Sequence, residues 1–122
     1  GLFCFAPGLN VLRSVGRKRA LGLLLTGDII PASEAERMGL VNEVVPQEKL
    51  EEAVMELAEK LASKSPIALQ MGKSAFYKMS EMGYEEALAD LGETFAVLCA
   101  TEDAREGVSA FLNKTTAEWK GR

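Results

Sequence analysis

Histidine is missing altogether from this 122-residue chain. Without an imidazole, Ser-His-Asp and Cys-His nucleophile systems are excluded. A zinc site and the usual neutral-pH proton shuttle go with them. Cysteine is scarce, and Cys4 and Cys99 belong to no CxxC pattern. Two such residues read as small buried apolar side chains in a reducing compartment, which implies a cytoplasmic setting. No apolar run reaches the ~18–20 residues that a membrane span needs, and no charged-then-apolar leader opens the chain. The chain starts at Gly1 without a Met, so a fragment, a processed chain or a tag scar is expected. Basic residues are outnumbered, with 14 Lys and Arg against 18 Asp and Glu and a net charge of −4. That balance argues against a nucleic-acid partner.

What is present is ordinary for a folded chain, 48% apolar and 26% charged, in an amount that suits one domain with a core. Two helical turns are expected over 8–15 after Pro7. After the interruption at Gly16, RKRALGLLLTG reads as a helix. Leu21, Leu23, Leu24 and Leu25 cannot share one stripe, so this helix is expected to be buried or held between two layers. Gly27 suits the left-handed position that closes it. Pro31 and ASEAERM predict one short helix ended by Gly39.

LVNEVV follows, and its valines predict a strand over 40–45, stopped by Pro46. The remainder is helical. From 47 to 63, Leu50, Val54, Leu57 and Leu61 recur at helical spacing while glutamates fill the other faces. Ser65-Pro66 is an N-cap followed by proline at the first helical position. Gly83 breaks that helix, and Leu88, Leu91, Phe95 and Leu98 form the stripe of the next. Thr101 caps a last helix that runs to about Lys114, with Glu102 and Asp103 in its first turn, where the dipole favours anions. The fold class is therefore mainly α with one short strand. A lone strand cannot satisfy its own backbone, so its partner is expected outside this chain or in another copy of it.

Turn, short helix, glycine reversal, valine run and proline occur together in LTGDIIPASEAERMGLVNEVVP. This segment resembles the crotonase family, the enoyl-CoA hydratases and isomerases. GRKRALGLLLTG, ASKSPIALQMGKSAFYK and ATEDAREGVSAFLNK resemble family segments in the same order, so the likeness covers nearly all 122 residues. The opening GLFCFAPG is closer to the family's enoyl-CoA hydratase domain-containing protein 3-like subgroup than to typical hydratases. The resemblance implies the helical C-terminal region of a ClpP/crotonase-like fold. Residues 1–46 would end the spiral core, and residues 47–122 would form the helical trimerisation region.

It also implies chemistry on acyl-CoA thioesters in fatty acid metabolism. Two backbone N–H groups stabilise the enolate oxygen and carboxylates move protons. By resemblance those groups precede Gly1, so no catalytic residue is expected here, and the chain alone is expected to be inactive although its parent is a lyase or isomerase. Asp28, Glu34, Glu43 and Glu106 read as turn, cap or solvated-face residues. The family's CoA-binding phenylalanines and lysine map onto Phe95, Phe111 and Lys114, at the adenine and ribose 3′-phosphate end of the ligand. Phe111 and Lys114 share a helix face, and Phe95 lies on the preceding helix. Packing for the rings, and a favourable helix C-terminus for the lysine, are the competing readings.

The expected partners are thus an acyl-CoA substrate and further copies of the chain, as a trimer or dimer of trimers. No covalently bound cofactor, metal, nucleic acid or membrane is expected. Two other readings remain. One is a stand-alone helical self-association module without activity. The other is a helix-turn-helix DNA binder, suggested by SEAERMGLV, although LVNEVVP is a poor recognition helix. The cluster of Arg13, Arg17, Lys18 and Arg19 reads as a solvated face.

Overall fold

Seven α-helices account for the regular structure of the computed structural model, which describes all of residues 1–122. They are α1 (Phe5–Val15), α2 (Arg17–Thr26), α3 (Ala32–Met38), α4 (Leu50–Ala62), α5 (Pro66–Met79), α6 (Tyr84–Cys99) and α7 (Glu102–Asn113), with a 3₁₀ turn at Gln47–Lys49. The chain divides into two units, Gly1–Ala53 and Val54–Arg122.

In the first unit α1 packs on α2 across Gly16, whose φ of 81° only glycine adopts readily. Gly8 permits the close approach, since a Cβ there would lie 3.1 Å from Cδ1 of Leu24. Gly27 and Gly39 both take the left-handed conformation and close α2 and α3 as the sequence predicts. The Arg19 guanidinium reaches the Met38 carbonyl at 3.5 Å, which ties α2 to the end of α3.

The strand expected over 40–45 does not form; the segment is irregular, and the chain contains no strand at all. The fold class is corrected accordingly from mainly α with one strand to all-helical. The cause is the missing partner, because backbone donors that meet no neighbouring strand must bond elsewhere. Here the Val44 N–H donates to Glu36 Oε1 at 2.9 Å, a side-chain acceptor from the preceding helix. The irregular segment also means that no helix directly follows the Gly39 turn, where a helix-turn-helix would place its recognition helix.

Two further expectations fail. Leu21 and Leu25 of α2 are 51% and 68% exposed, so that helix is not enclosed. Cys4 and Cys99 are both free and both exposed rather than buried.

In the second unit, α5 and α6 form an antiparallel-type hairpin of sequence neighbours, braced by the ion pair of Lys78 with Asp90. Both capping expectations hold. Ser65 Oγ accepts from the Ala68 N–H at 3.2 Å, and Thr101 Oγ1 accepts from the Ala104 N–H at 3.1 Å.

The hydrophobic side chains that are buried are Val15, Ala20, Ala35 and Ala110, none larger than valine. Leu50, Val54, Leu57 and Leu61, the stripe of α4, are each about half exposed. Enclosing one such leucine is worth ~1.5–3 kcal/mol relative to leaving it in water. The apolar faces are therefore placed for something other than the interior of this chain.

Candidate functional site

The largest fully buried side chain of the molecule is a carboxylate. Asp103, in the first turn of α7, is 2% exposed. A buried carboxylate is tolerated only when its lone pairs are occupied. Ser65 Oγ–H donates to Oδ2 at 2.6 Å, and the Lys120 N–H donates to Oδ1 at 2.7 Å. The Gly121 N–H lies 3.1 Å from Oδ1 and 3.2 Å from Oδ2. In return the Asp103 N–H donates to the Arg122 carbonyl at 3.1 Å. The Ser65 hydroxyl is the largest influence holding this carboxyl below its ordinary value of 3.8. Burial opposes it, while the N–H groups of Lys120 and Gly121 and the Lys120 charge reinforce it. Around this centre Glu102 pairs with Arg122 at 3.2 Å and with Lys120 at 3.6 Å.

Ser65 therefore has two tasks, as N-cap of α5 and as donor to Asp103. The terminal segment is held by further bonds. Trp119 Nε1–H donates to the Ser63 carbonyl at 2.8 Å, and the Glu118 N–H donates to Glu106 Oε1 at 3.2 Å. The indole lies on Gly107, where a Cβ would come within 3.2 Å of Cη2. The sequence named Asp103 only as a dipole-favoured residue and Trp119 only as part of a tail. Its partners lie 17, 18 and 38 positions away, beyond the reach of any local pattern.

The three residues expected to meet CoA lie in this same unit. Phe95 is 66% exposed on α6 and Phe111 is 82% exposed on α7. The ring contacts of the chain are Phe3–Phe5 and Phe76–Tyr77, so Phe95 and Phe111 each present a ring that stacks on no other aromatic residue. Lys114 is exposed and occupies the C-cap of α7. Its N–H bonds the Phe111 carbonyl at 3.3 Å, which fixes those two residues relative to each other.

Lys114 is also the one non-glycine residue with positive φ, at φ 55° and ψ 40°. For an L-residue with a Cβ this conformation costs about 1 kcal/mol or more, which glycine at the same place would avoid.

Two of the acidic residues considered for chemistry have side-chain partners: Glu34 pairs with Arg37, and the Glu106 carboxylate accepts from the Glu118 N–H at 3.2 Å. At Asp28 the backbone N–H bonds Thr26 Oγ1 at 3.2 Å.

Phe95 on α6, and Phe111 and Lys114 at the end of α7, are thus all exposed on the surface of the second unit. The enoyl-CoA hydratase/isomerase family model matches residues 3–122, and the chain belongs to that family. One relative is the 2,3-dehydroadipyl-CoA hydratase of Escherichia coli (strain K12), 42% identical over 113 residues, which cover 93% of this chain and 44% of that protein. Another is the mitochondrial enoyl-CoA hydratase domain-containing protein 3 of Homo sapiens, 40% identical over 119 residues, or 98% of this chain and 39% of that one. The subgroup suggested by the opening residues is thus among the relatives.

The crystal structure of an enoyl-CoA hydratase from Mycobacterium smegmatis matches with a TM-score of 0.95 at 43% identity, over 98% of this chain and 46% of that one. That of the human domain-containing protein 3 gives 0.93 at 39% identity, over 98% and 47%. The chain spans less than half the length of these relatives.

Proposed function

We propose that this chain is the helical, nucleotide-gripping and self-associating region of an enoyl-CoA hydratase/isomerase acting on acyl-CoA thioesters. The observation that carries the reading is the family match over residues 3–122 in a chain whose large apolar side chains mostly face outward. Surfaces of that kind are made to be covered by the rest of an enzyme and by neighbouring subunits.

In this reading the enolate oxygen is stabilised, and protons are moved, by groups in the remaining length of the family protein. The present chain binds the far end of the thioester. Phe95 and Phe111 flank the adenine, whose faces gain from stacking on aromatic rings. The Lys114 ammonium pairs with the ribose 3′-phosphate, an interaction suited to a compact charge on a flexible stem. Holding that end contributes binding energy remote from the reacting carbonyl, and such energy can be spent on orientation there. The two free cysteines suit a reducing, cytoplasmic compartment.

Sedimentation and activity measurements test this. The isolated 122-residue chain sediments as an oligomer and hydrates no crotonyl-CoA, whereas the full-length protein binds CoA thioesters. A clean monomer at high concentration would overturn the self-association. Turnover by the isolated chain would overturn the location of the catalytic groups. A full-length protein that self-associates but binds no CoA thioester would favour the second reading, a helical association module, for which the exposed stripe of α4 is the supporting observation.

A further inference from the structure

We propose that Asp103 is a positioning residue for Lys114: it straps the terminal segment 115–122 back along α7, and the strap holds the lysine where its ammonium meets a ribose 3′-phosphate. The proposal rests on the reading of Lys114 given above and adds a device for setting its position.

The path of the segment is written in its contacts with α7. Just after Lys114, the Thr115 N–H donates to the Ala110 carbonyl at 2.9 Å and the chain reverses. The Glu118 N–H then meets Glu106, and the Trp119 ring covers Gly107. Lys120 and Gly121 finally reach Asp103, and the Arg122 carbonyl accepts from the Asp103 N–H. The helix positions used are 110, then 107 and 106, then 103. These are related by three- and four-residue steps, so they form a single face of α7. The segment therefore runs antiparallel to the helix along one face, from its last turn to its first.

Such a return demands a tight reversal at the helix end, and Lys114 supplies it by taking the left-handed conformation. Glycine is the default residue there. A chain that needed only to reverse would use glycine, so a side chain kept at a strained position is kept for what its end group touches. The strap and the strained lysine are one mechanical unit, closed at the far end by the Asp103 carboxylate. Val108, Phe111 and Leu112 lie off the strapped face and stay exposed, which leaves the ring of Phe111 open beside the lysine.

The test compares calorimetric affinities of the full-length protein for coenzyme A and for 3′-dephospho-coenzyme A, with emission from Trp119 monitored alongside. In the unaltered protein CoA binds about tenfold more tightly than its 3′-dephospho form, the scale of one charge-assisted contact. Lys114→Ala brings that ratio to about one; a ratio unchanged in this variant would remove the phosphate reading of Lys114, and the proposal with it.

Asp103→Asn keeps the shape but removes the charge and leaves one acceptor oxygen where two now serve Ser65, Lys120 and Gly121. Trp119 emission moves to the red, and the ratio falls to about threefold through weaker CoA binding, with 3′-dephospho-CoA unaffected. General damage to the fold would weaken both ligands alike. A red-shifted Trp119 with the tenfold ratio intact would show that the strap does not set the lysine. An unshifted Trp119 would show that Asp103 does not hold the strap. Should Asp103→Asn fail to fold, a protein ending at Trp119 serves instead: it is expected to show the same reduced ratio, and retention of the full ratio would overturn the proposal.

Discussion

At the N-terminal end of α7, Asp103 is enclosed to 2% exposure with hydrogen bonds on both oxygens. At the other end Phe111 and Leu112 are 82% and 71% exposed. One end is polar, buried and satisfied; the other is apolar and open. The usual expectation, apolar inside and polar outside, is inverted along a single helix of 12 residues. The difference separates two jobs. The closed end ties Ser65 at the start of α5 and the terminal segment to α7, and no buried side-chain polar atom in the molecule lacks a partner. The open end contributes little to this chain and is available to a ligand or a neighbour.

The contrast breaks most completely if the enclosed carboxylate is removed. Asp103→Ala strands the Ser65 hydroxyl and the Lys120 and Gly121 N–H groups, and is expected to give the largest fall in melting temperature of the substitutions considered. Protonation does the same reversibly. The folded-state pKa lies below the ordinary 3.8, so the carboxylate's contribution is fully present above that value and is lost as pH falls through it towards the lowered one. Trp119 emission, which reports docking of the terminal segment, should hold steady at neutral pH and shift to the red only as pH falls below the ordinary 3.8 towards the lowered value. A tail that stays docked at neutral pH in Asp103→Ala would show that the indole, not the carboxylate, anchors it.

Ser65→Ala is the next largest. It removes an N-cap, which costs about 1 kcal/mol, and one donor to a charged acceptor. A loss larger than the capping value alone is expected in denaturant midpoint analysis. A loss confined to the capping value would mean that the Asp103 bond is worth nothing net.

Legibility in the sequence followed the range of the forces. Gly27, Gly39, Ser65 and Thr101 were readable because caps and left-handed closures involve neighbours within a turn, and the structure has each of them in that role. The valine run failed because β-branched residues favour a strand only where a second strand exists to pair with, and Glu36 takes the Val44 N–H instead. The leucines of α2 and the two cysteines were misread because burial belongs to the surroundings and not to the residue. Phe95, Phe111 and Lys114 came from family likeness; nothing in their spacing separates a ligand-facing ring from a packed one. Asp103 was invisible as a clasp, since its partners converge only through tertiary structure.

A smaller effect, of the opposite sign, is expected at the junction of the two ends. Lys114→Gly removes the cost of holding a side chain in the left-handed region, offset in part by the greater freedom of glycine when unfolded. The net gain should be about 0.5–1 kcal/mol in stability, together with loss of discrimination between CoA and its 3′-dephospho form. Stability bought with affinity is the signature of a residue kept for function. A destabilised Lys114→Gly would instead mean that the lysine stem or charge supports the helix end.

The smallest effect on stability should come from the open end itself. Phe111→Ala exposes almost nothing that water does not already reach, so its unfolding free energy should lie within about 0.5 kcal/mol of the parent's in the isolated chain. In the full-length protein the same change should weaken CoA binding by roughly tenfold, the low end of what stacking on a base is worth. A large loss of stability without loss of binding would assign the ring to subunit packing. The inversion along α7 would then describe an assembly surface and not a ligand site.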